Sequence, residues 1–392
     1  MSGRRGLAPF LGGALAAAVF VVVLPTPARA AVVRLINRDG PGEGFNDPTP
    51  VDPVGGNPGT TLGEQRLIAF QYAIDKWSTL LQSPVEIRVS AQFNALDCDA
   101  NLVTLGSAAP VSVFSDFAGA PAPNTFYAAP LADRLAGVDL APDEDDIDAE
   151  FNSVFGAGCA FPAGWYYGLD GAVPGDDSDL VTVVLHELGH GMGFLTLIDV
   201  TTGQKFDGQD DVFMQFLTDD RTGKLFTEMS NSERRNASVA TGHLKWTGGE
   251  VVAASNNRLS AGADTSGRVE MYAPSQAIDG SSVSHWSDDL APDELMEPYF
   301  TQPIHDVGLA AQALADMGWN VAGSVACPAD CNNDGQVSIE ELIVAVQIAL
   351  NDLPLSSCGE IDADRSGNVG VNELVAAVSR ALDGCAVPIG AP

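Results

Sequence analysis

The residues best suited to chemistry lie in the stretch VTVVLHELGHGMGF, residues 181 to 194. It contains His186, Glu187 and His190 in an H-E-x-x-H arrangement. On a helix, residues four apart lie one turn above each other, so His186 and His190 can offer two imidazole nitrogens to one zinc ion. Glu187 can take a proton from a metal-bound water. The spacing therefore predicts a metal centre with an adjacent general base.

The same stretch has the features of a buried helix. An apolar stripe at helical spacing is formed by Val181, Val184, Leu185 and Leu188. Candidate N-cap residues with negative charge precede it, namely Asp176, Asp177 and Ser178. Gly191 and Gly193 are predicted to end the helix. Because the chain has only five histidines, a chance match of the motif on a core helix is improbable.

The chain after His190 reads GMGFLT, which extends the motif to H-E-x-x-H-x-x-G. This longer pattern resembles the metzincin zinc peptidases. In most of that clan the third ligand follows three residues after the glycine, and Thr196 occupies that position here. A catalytic zinc site needs three protein ligands, so the third must come from elsewhere. The remaining histidines are His243, His285 and His305.

The stretch SVSHWSDDLAPDELMEP, residues 282 to 298, favours one of these histidines. It resembles leishmanolysin-type metzincins, in which an insertion separates the third histidine from the helix and a methionine turn follows. The resemblance implies His285 as the third zinc ligand and Met296 as the methionine beneath the metal. His243, another residue, or a distant glutamate of the gluzincin kind remain alternatives for the ligand, and a core position is the alternative for Met296.

The resemblance also implies an architecture for residues 31 to 320: an α+β catalytic domain with a twisted sheet and an active-site helix. Residues 197 to 284 match no pattern and are predicted to form an inserted subdomain beside the cleft, with a helix-like DVFMQFLT. The strand IDAEFNSVF, residues 147 to 155, is predicted to be the edge that pairs with an extended substrate. A closing helix is predicted over residues 308 to 319.

Two other features near the predicted site are open to a functional and a structural interpretation. Tyr299 lies three residues after Met296 and could hydrogen-bond an oxyanion, although a structural role is favoured. The acidic run DEDDID, residues 143 to 148, could hold a metal ion, but a solvated loop is the favoured interpretation.

The C-terminal region contains two loops with the ligand spacing of an EF-hand, including a glycine at position six and a glutamate at position twelve. The predicted calcium ligands are Asp330, Asn332, Asp334, Gln336 and Glu341 in the first loop, and Asp362, Asp364, Ser366, Asn368 and Glu373 in the second. The loops and the helices that follow them repeat at an offset of 32 residues, from Asp330 to Asp362. Residues 327 to 386 resemble a dockerin pair of half EF-hands, which implies a small all-α calcium-binding domain. A cystine-held helical pair without calcium is the alternative.

The first thirty residues predict a secretory signal peptide. Arg4 and Arg5 form a basic start, residues 11 to 24 are apolar, and Ala28-Arg29-Ala30 is an A-x-A cleavage signal. An uncleaved membrane anchor is the alternative, and no later stretch is apolar enough to span a bilayer. We expect a secreted protein, with the periplasm or the cell surface as alternatives.

Charge and cysteine content agree with export. The formal charge is −33, with 52 acidic and 19 basic residues, which argues against nucleic acid and anionic membranes as partners. Six cysteines in an exported chain predict disulfides. Cys98 and Cys159 are predicted to pair, whereas four others allow three pairings: Cys327, Cys331, Cys358 and Cys385.

These patterns together predict a secreted zinc-dependent endopeptidase that acts on proteins or peptides and carries a calcium-binding appendage. The expected cofactors are Zn²⁺ and Ca²⁺, and a cohesin-like or cell-surface partner is considered for the appendage. The alternative is a non-catalytic, calcium-dependent surface or scaffold protein whose peptidase-like domain only binds. Glu187 argues for the enzyme, since a purely structural zinc site needs no general base.

Overall fold

The chain is described by a computed structural model. It describes residues 30–156, 158–321, 329, 331, 337–350, 352–362 and 368–383. Several predictions concern residues outside these ranges: the signal peptide up to residue 29, the cysteines Cys327 and Cys385, and the calcium-loop residues Asp330, Asn332, Asp334, Gln336, Asp364 and Ser366.

The described residues form a mixed α+β fold, which confirms the predicted class. The helices are α1 (Leu62–Leu80), α2 (Ala129–Ala136), α3 (Leu180–Gly191), α4 (Asn231–Ala237), α5 (Gly249–Arg258), α6 (Gly308–Asp316), α7 (Ile339–Ala349) and α8 (Val371–Asp383). The first strands are β1 (Val33–Asn37), β2 (Leu81–Gln82), β3 (Ile87–Asn94), β4 (Gly106–Pro110), β5 (Val113–Phe114), β6 (Thr125–Ala128), β7 (Ile147–Asn152) and β8 (Trp165–Tyr166). The remaining strands are β9 (Ser178–Asp179), β10 (Asp210–Asp211), β11 (Leu217–Asp219), β12 (Lys224–Leu225), β13 (Leu244–Trp246), β14 (Val269–Glu270) and β15 (Asn320–Val321).

The largest sheet has the strand order β1-β3-β7-β4. Strands β1, β3 and β7 are parallel, and β4 pairs antiparallel with β7. The predicted edge strand at residues 147 to 155 is therefore wrong, because β7 lies between β3 and β4. The edge next to β7 is β4, where Gly106 pairs with Phe151 and Pro110 with Ile147.

Helices α1 and α3 pack on one face of this sheet. Their approach is close, since a side chain at Gly191 would meet Ile147 Cγ2 at 2.5 Å. The indole nitrogen of Trp77 on α1 donates to the carbonyl of Leu185 on α3 at 3.1 Å, which fixes the two helices together. Helix α6 matches the predicted closing helix, and the Trp319 indole that follows it donates to Met192 O at 3.0 Å.

The segment from 197 to 284 contributes to the same hydrophobic core as the helices and sheet. Phe213 and Trp246 from this segment pack against Phe194, which follows α3, and Trp246 also packs against Trp286. The predicted helix DVFMQFLT is wrong: Phe213–Phe216 is a 3-10 turn, and the chain then enters β11. Because both aromatic rings are buried in the shared core, the segment does not form a separate subdomain core.

The acidic run at residues 143 to 148 is not a fully solvated loop, contrary to the favoured prediction. Asp145 and Asp146 are buried. Asp145 forms ion pairs with Arg38 and Arg88, and Asp146 accepts the Arg88 N–H at 2.7 Å. Their carboxylates are held by internal donors, which sequence composition alone could not reveal.

A second, smaller core lies in the C-terminal region. It includes Ala345 of α7 and Ala377 of α8. Cys98 pairs with Cys159 in the larger region, as predicted. Cys331 pairs with Cys358 in the smaller one, where the sequence left three pairings open. Two such disulfides are typical of an exported protein. Across the described ranges, every helix is too short or too polar to cross a lipid bilayer.

Candidate metal centre

The N-cap of helix α3 lies one residue after the last of its predicted candidates. Asp179, rather than residues 176 to 178, is the N-cap, and its Oδ2 accepts the Thr182 N–H at 2.7 Å. The same oxygen lies 2.8 Å from His305 Nε2. His305 therefore contacts the N-cap of α3 and does not belong to the histidine cluster described next.

Three imidazoles converge at the other end of α3. His186 and His190 are one turn apart on the helix, and His285 reaches them from the segment after β14. Their Nε2 atoms form a nearly equilateral triangle: 3.1 Å from His190 to His186, 3.1 Å from His190 to His285 and 3.2 Å from His186 to His285. The remaining histidine, His243, is half-exposed and bonds Asp220 instead.

The outer nitrogens of the three rings fix which atoms face each other. Each Nδ1 lies within hydrogen-bond distance of a backbone carbonyl: His186 of Leu295 at 2.7 Å, His190 of Phe194 at 2.7 Å and His285 of Ser281 at 2.8 Å. A carbonyl only accepts, so each Nδ1 carries the proton. All three Nε2 lone pairs then point at one another. Without a cation between them this arrangement is repulsive.

The triangle fits a metal ion of zinc's size. Zinc–nitrogen bonds of about 2.0–2.1 Å in tetrahedral geometry separate two ligand nitrogens by about 3.3 Å, close to the 3.1–3.2 Å found here. Burial lowers the pKa of His186 to about 4 and that of His190 to about 3. Burial also holds the pKa of His285 well below its usual value. At neutral pH the rings are uncharged and their lone pairs are free to bind a cation.

The backbone after α3 is shaped to orient His190. Gly193 has a φ of +115°, a conformation that side-chain-bearing residues rarely adopt. The turn that it makes brings the Phe194 carbonyl back to His190 Nδ1, four residues earlier. The glycine in the H-x-x-G pattern therefore has a specific role, because its turn places the acceptor that fixes the second imidazole.

Glu187 is buried on the side of α3 that faces the edge strand β4. Its carboxylate accepts a hydrogen bond from the Ala108 N–H. A side chain at Gly106 would meet Glu187 Cγ at 3.2 Å, a tight contact, so glycine at this position favours the close approach of β4. Burial raises the pKa of the Glu187 carboxyl to about 8, and the Ala108 bond opposes that rise. Without a cation this carboxyl is therefore mostly protonated at neutral pH. A metal ion held by the three imidazoles would favour the ionised form, which accepts a proton.

Met296 lies beneath the helix that carries the first two imidazoles. A side chain at Gly189 would come within 2.6 Å of the Met296 sulfur. Met296 is fully buried, so it also belongs to the core. Tyr299 is 49% exposed, and its hydroxyl lies 2.9 Å from that of Tyr272. A role for Tyr299 at an oxyanion stays a prediction.

Four predicted calcium ligands lie in the described part of the C-terminal region: Glu341, Asp362, Asn368 and Glu373. Glu341 accepts the N–H groups of Cys331 at 2.9 Å and Ser338 at 2.8 Å. Glu373 accepts the N–H of Gly370 at 2.7 Å, at the position equivalent to Ser338. The carboxylates of both glutamates are thus directed towards the loops that precede their helices.

Sequence reasoning missed the contribution of β4. Gly106 and Ala108 both touch Glu187, yet their stretch GSAAP was assigned no role. Two signals were present. Small residues permit close backbone approach, and a proline within a strand, here Pro110, marks an edge.

No protein-family model matches the sequence, and none of the curated proteins matches it either. The three imidazoles and the carboxylate must therefore be interpreted from their own chemistry. Among the described residues, His186, His190 and His285 form a buried group that could hold a metal ion.

Proposed function

We propose that this chain is an exported zinc-dependent endopeptidase of the leishmanolysin-like metzincin type. The convergence of three neutral imidazole nitrogens beside the buried carboxylate of Glu187 carries the proposal. Structural zinc sites have four protein ligands, whereas catalytic sites have three and an open position. The cluster found among the described residues contains His186, His190 and His285 alone. That ligand count favours the catalytic kind.

The roles of the residues follow from their positions. Zinc, when bound, supplies Lewis acidity that activates a water and polarises a peptide carbonyl. Glu187 accepts the proton of the attacking water and delivers it to the leaving amine. The Ala108 N–H orients that carboxylate. The backbone carbonyls at the three Nδ1 atoms hold the rings in one tautomer, which keeps their Nε2 atoms directed inward.

Among the described residues, no strand pairs with the outward side of β4, which suits an extended peptide substrate. Leu105 O accepts from Asn152 N, and Val111 N donates to Asp146 O, both at 2.9 Å. Odd-numbered residues of this strand therefore direct their backbone groups to β7, and even-numbered residues direct theirs outward. The outward N–H of Ala108 already donates to Glu187, so a peptide would pair with the other outward groups of this strand. A peptide that adds to this edge as a further strand would pass the catalytic carboxylate.

Zinc content and casein hydrolysis, measured together with calcium present, test the proposal. The parent should hold one zinc and cleave casein. Glu187→Gln should keep zinc and lose about 10²-fold or more in turnover, the range expected for a general base. His285→Ala should lose both, whereas His243→Ala, at the half-exposed histidine, should lose neither. Full activity in Glu187→Gln, or unchanged zinc in His285→Ala, contradicts the proposal.

One observation favours a second, binding function for the C-terminal unit. Aliphatic side chains are exposed at repeated positions on its two helices: Ile339, Ile343, Val346 and Leu350 in the first repeat, and Val371, Val375 and Val378 in the second. Exposed apolar side chains that share a face of a helix are a feature of interaction sites. We propose a calcium-dependent binding role for this unit, with a cohesin-like or cell-surface partner. A parent that binds zinc without cleaving casein would make binding the main function.

A further inference from the structure

The last residue of α5, Arg258, connects the 197 to 284 segment to the chain after His285. Its Nε donates to Glu294 Oε1 in a short ion pair, and its Nη1 lies 2.9 Å from Asp306 Oδ2. The Glu294 side chain is completely buried. One guanidinium thus joins two acidic residues that lie on either side of Met296.

Glu294 is held by more than the arginine. Its second oxygen accepts the N–H of Leu309, in the first turn of α6, at 3.0 Å. Its own N–H donates to Glu297 Oε1 at 2.8 Å, which closes residues 294 to 297 into a tight turn. We call these four residues the methionine turn. The buried carboxylate of Glu294 fixes this turn to both α5 and α6.

The methionine turn contacts the metal centre at two points. The Leu295 carbonyl accepts the proton of His186 Nδ1 at 2.7 Å. The Met296 carbonyl accepts the N–H of Trp286, the neighbour of His285, at 2.9 Å. A displacement of the turn would therefore move the acceptor of one imidazole and the backbone next to another.

We infer that Arg258 is a positioning residue for the metal centre, which acts through Glu294 to hold the Leu295 carbonyl against His186. The inference deepens the proposed function, since it assumes that the three imidazoles bind zinc. It also gives the 197 to 284 segment a role at the site, because α5 supplies the cation that keeps the methionine turn in place. No contact between Arg258 and an imidazole is needed.

Removal of the guanidinium would leave a buried carboxylate without its cation. Burial already raises the pKa of Glu294, and the Arg258 side chain opposes that rise. An unpaired buried charge is strongly unfavourable, so Glu294 would either take up a proton or move towards water. Both changes weaken the attachment of the turn. Lysine would preserve the charge but not the two divergent donors that reach Glu294 and Asp306.

The experiment compares zinc affinity in the full mature chain, measured by competition with a chromophoric chelator. Arg258→Met should bind zinc about tenfold more weakly, the lower end of the loss typical for residues that support metal ligands. The visible spectrum of the Co²⁺-loaded protein should also change, because it reports the ligand geometry. Arg258→Lys should lie between Arg258→Met and the parent, and it keeps the test valid if Arg258→Met does not fold.

Arg234→Met is the matched control. Arg234 is a buried arginine of the same segment, and it donates to the carbonyls of Gly203 and Phe226 rather than to the methionine turn. It should lose stability in urea but keep the parent's zinc affinity and Co²⁺ spectrum. Equal zinc affinity in Arg258→Met and the parent overturns the inference. So does a loss in both variants that scales with their free energies of unfolding.

The outcomes separate this inference from the proposed function. A parent that binds zinc but leaves casein intact removes the peptidase proposal, and the affinity comparison still decides the role of Arg258. A parent that cleaves casein with zinc while Arg258→Met keeps full affinity removes the inference alone. A parent that binds no zinc removes both.

Discussion

The three buried imidazoles make the metal-free protein sensitive to acid. Burial lowers the pKa of His186 to about 4 and that of His190 to about 3, against about 6.5 in an unfolded chain. Below pH 6.5 these imidazoles therefore bind protons in the unfolded state but stay unprotonated in the folded state. The contribution of the neutral rings to the free energy of unfolding is complete above pH 6.5. It is lost as the pH falls towards 4, by up to about 1.4 kcal/mol per pH unit for each ring.

Urea unfolding of the metal-free protein at pH 7.5, 6.5 and 5.5 checks this expectation. The free energy of unfolding should fall with pH, and His285→Asn should show a shallower fall because one titrating ring is gone. His243→Asn is the control, since His243 is half-exposed and should leave the slope unchanged. Identical slopes in the parent and in His285→Asn would contradict the prediction.

A second residue-scale prediction concerns the buried pair Asp133 and Asp146. Burial, with the Asp146 charge as a smaller cause, raises the pKa of Asp133 to about 7. The folded state therefore binds the proton more tightly, so the contribution to stability is full below pH 4 and is lost as the pH rises through 7. Asp133→Asn imitates the protonated form and keeps an oxygen for the Leu140 N–H. It should stabilise the protein by about 1 kcal/mol at pH 8 and by almost nothing at pH 4.

Urea unfolding at these two pH values measures the effect of Asp133→Asn. Asp143→Asn, on the exposed part of the same acidic region, serves as the control and should change stability equally little at both pH values. A loss of stability at pH 8 in Asp133→Asn would show that the ionised carboxylate is required there.

Sequence could identify the imidazoles but not the groups that orient them. The i, i+4 spacing placed His186 and His190 on one helix face, and the resemblance to a long-insertion metzincin pointed to His285. The orienting acceptors are backbone carbonyls of Leu295 and Ser281. A backbone carbonyl has no sequence signature, because every residue carries one. Only the folded path of the chain decides which carbonyl reaches a ring.

At the scale of elements, the prediction for the edge strand went wrong for a physical reason. The IDAEFN stretch alternates polar and apolar residues, and such alternation is equally compatible with an edge and with an interior position. Which strands flank it depends on pairing with β3 and β4, residues far away in the chain. Likewise, Asp176 to Asp179 offer several capable N-cap side chains. Only Asp179 has the Thr182 N–H within reach.

The β4 edge allows a backbone test of the proposed function. Ala108 directs its N–H away from β7, so Ala108→Pro removes the donor to Glu187 without breaking the sheet ladder. Pro110, at another outward position, shows that β4 tolerates proline there. Ala108→Pro should keep zinc and lower kcat/KM for casein about tenfold, the effect of losing about 1.4 kcal/mol that orients Glu187.

Ala109→Pro is the contrasting variant. Residue 109 directs its N–H to β7, so this substitution removes a ladder bond and should lower the urea midpoint as well as activity. If Ala108→Pro keeps full activity, the contact between Ala108 and Glu187 does not contribute to catalysis. If Ala108→Pro loses zinc, the substitution has also disturbed the histidines of α3.

At the scale of the whole molecule, the described residues bury two hydrophobic cores that share no member. The sequence predicted this division from the change to calcium-loop spacing and from the 32-residue repeat. It could not predict that the 197 to 284 segment would join the larger core. The shared core depends on the packing of Phe213 and Trp246 against Phe194, which lies far from Trp246 in the sequence.

Separate cores predict separate unfolding, with calcium acting on the smaller unit alone. Glu341→Gln combined with Glu373→Gln removes the two carboxylates at loop position twelve, but the amide oxygens can still accept the N–H groups of Ser338 and Gly370. Saturating calcium, at a hundredfold excess over its dissociation constant, should stabilise the smaller unit of the parent by about 3 kcal/mol for each occupied loop, and the double variant should lose this gain. Calorimetry should show one transition that shifts with calcium in the parent and a second that does not.

Glu340→Gln, at the exposed neighbour of Glu341, should behave like the parent. A single transition that moves as a whole with calcium would mean that the two cores unfold together, and zinc binding and casein cleavage would then depend on calcium as well.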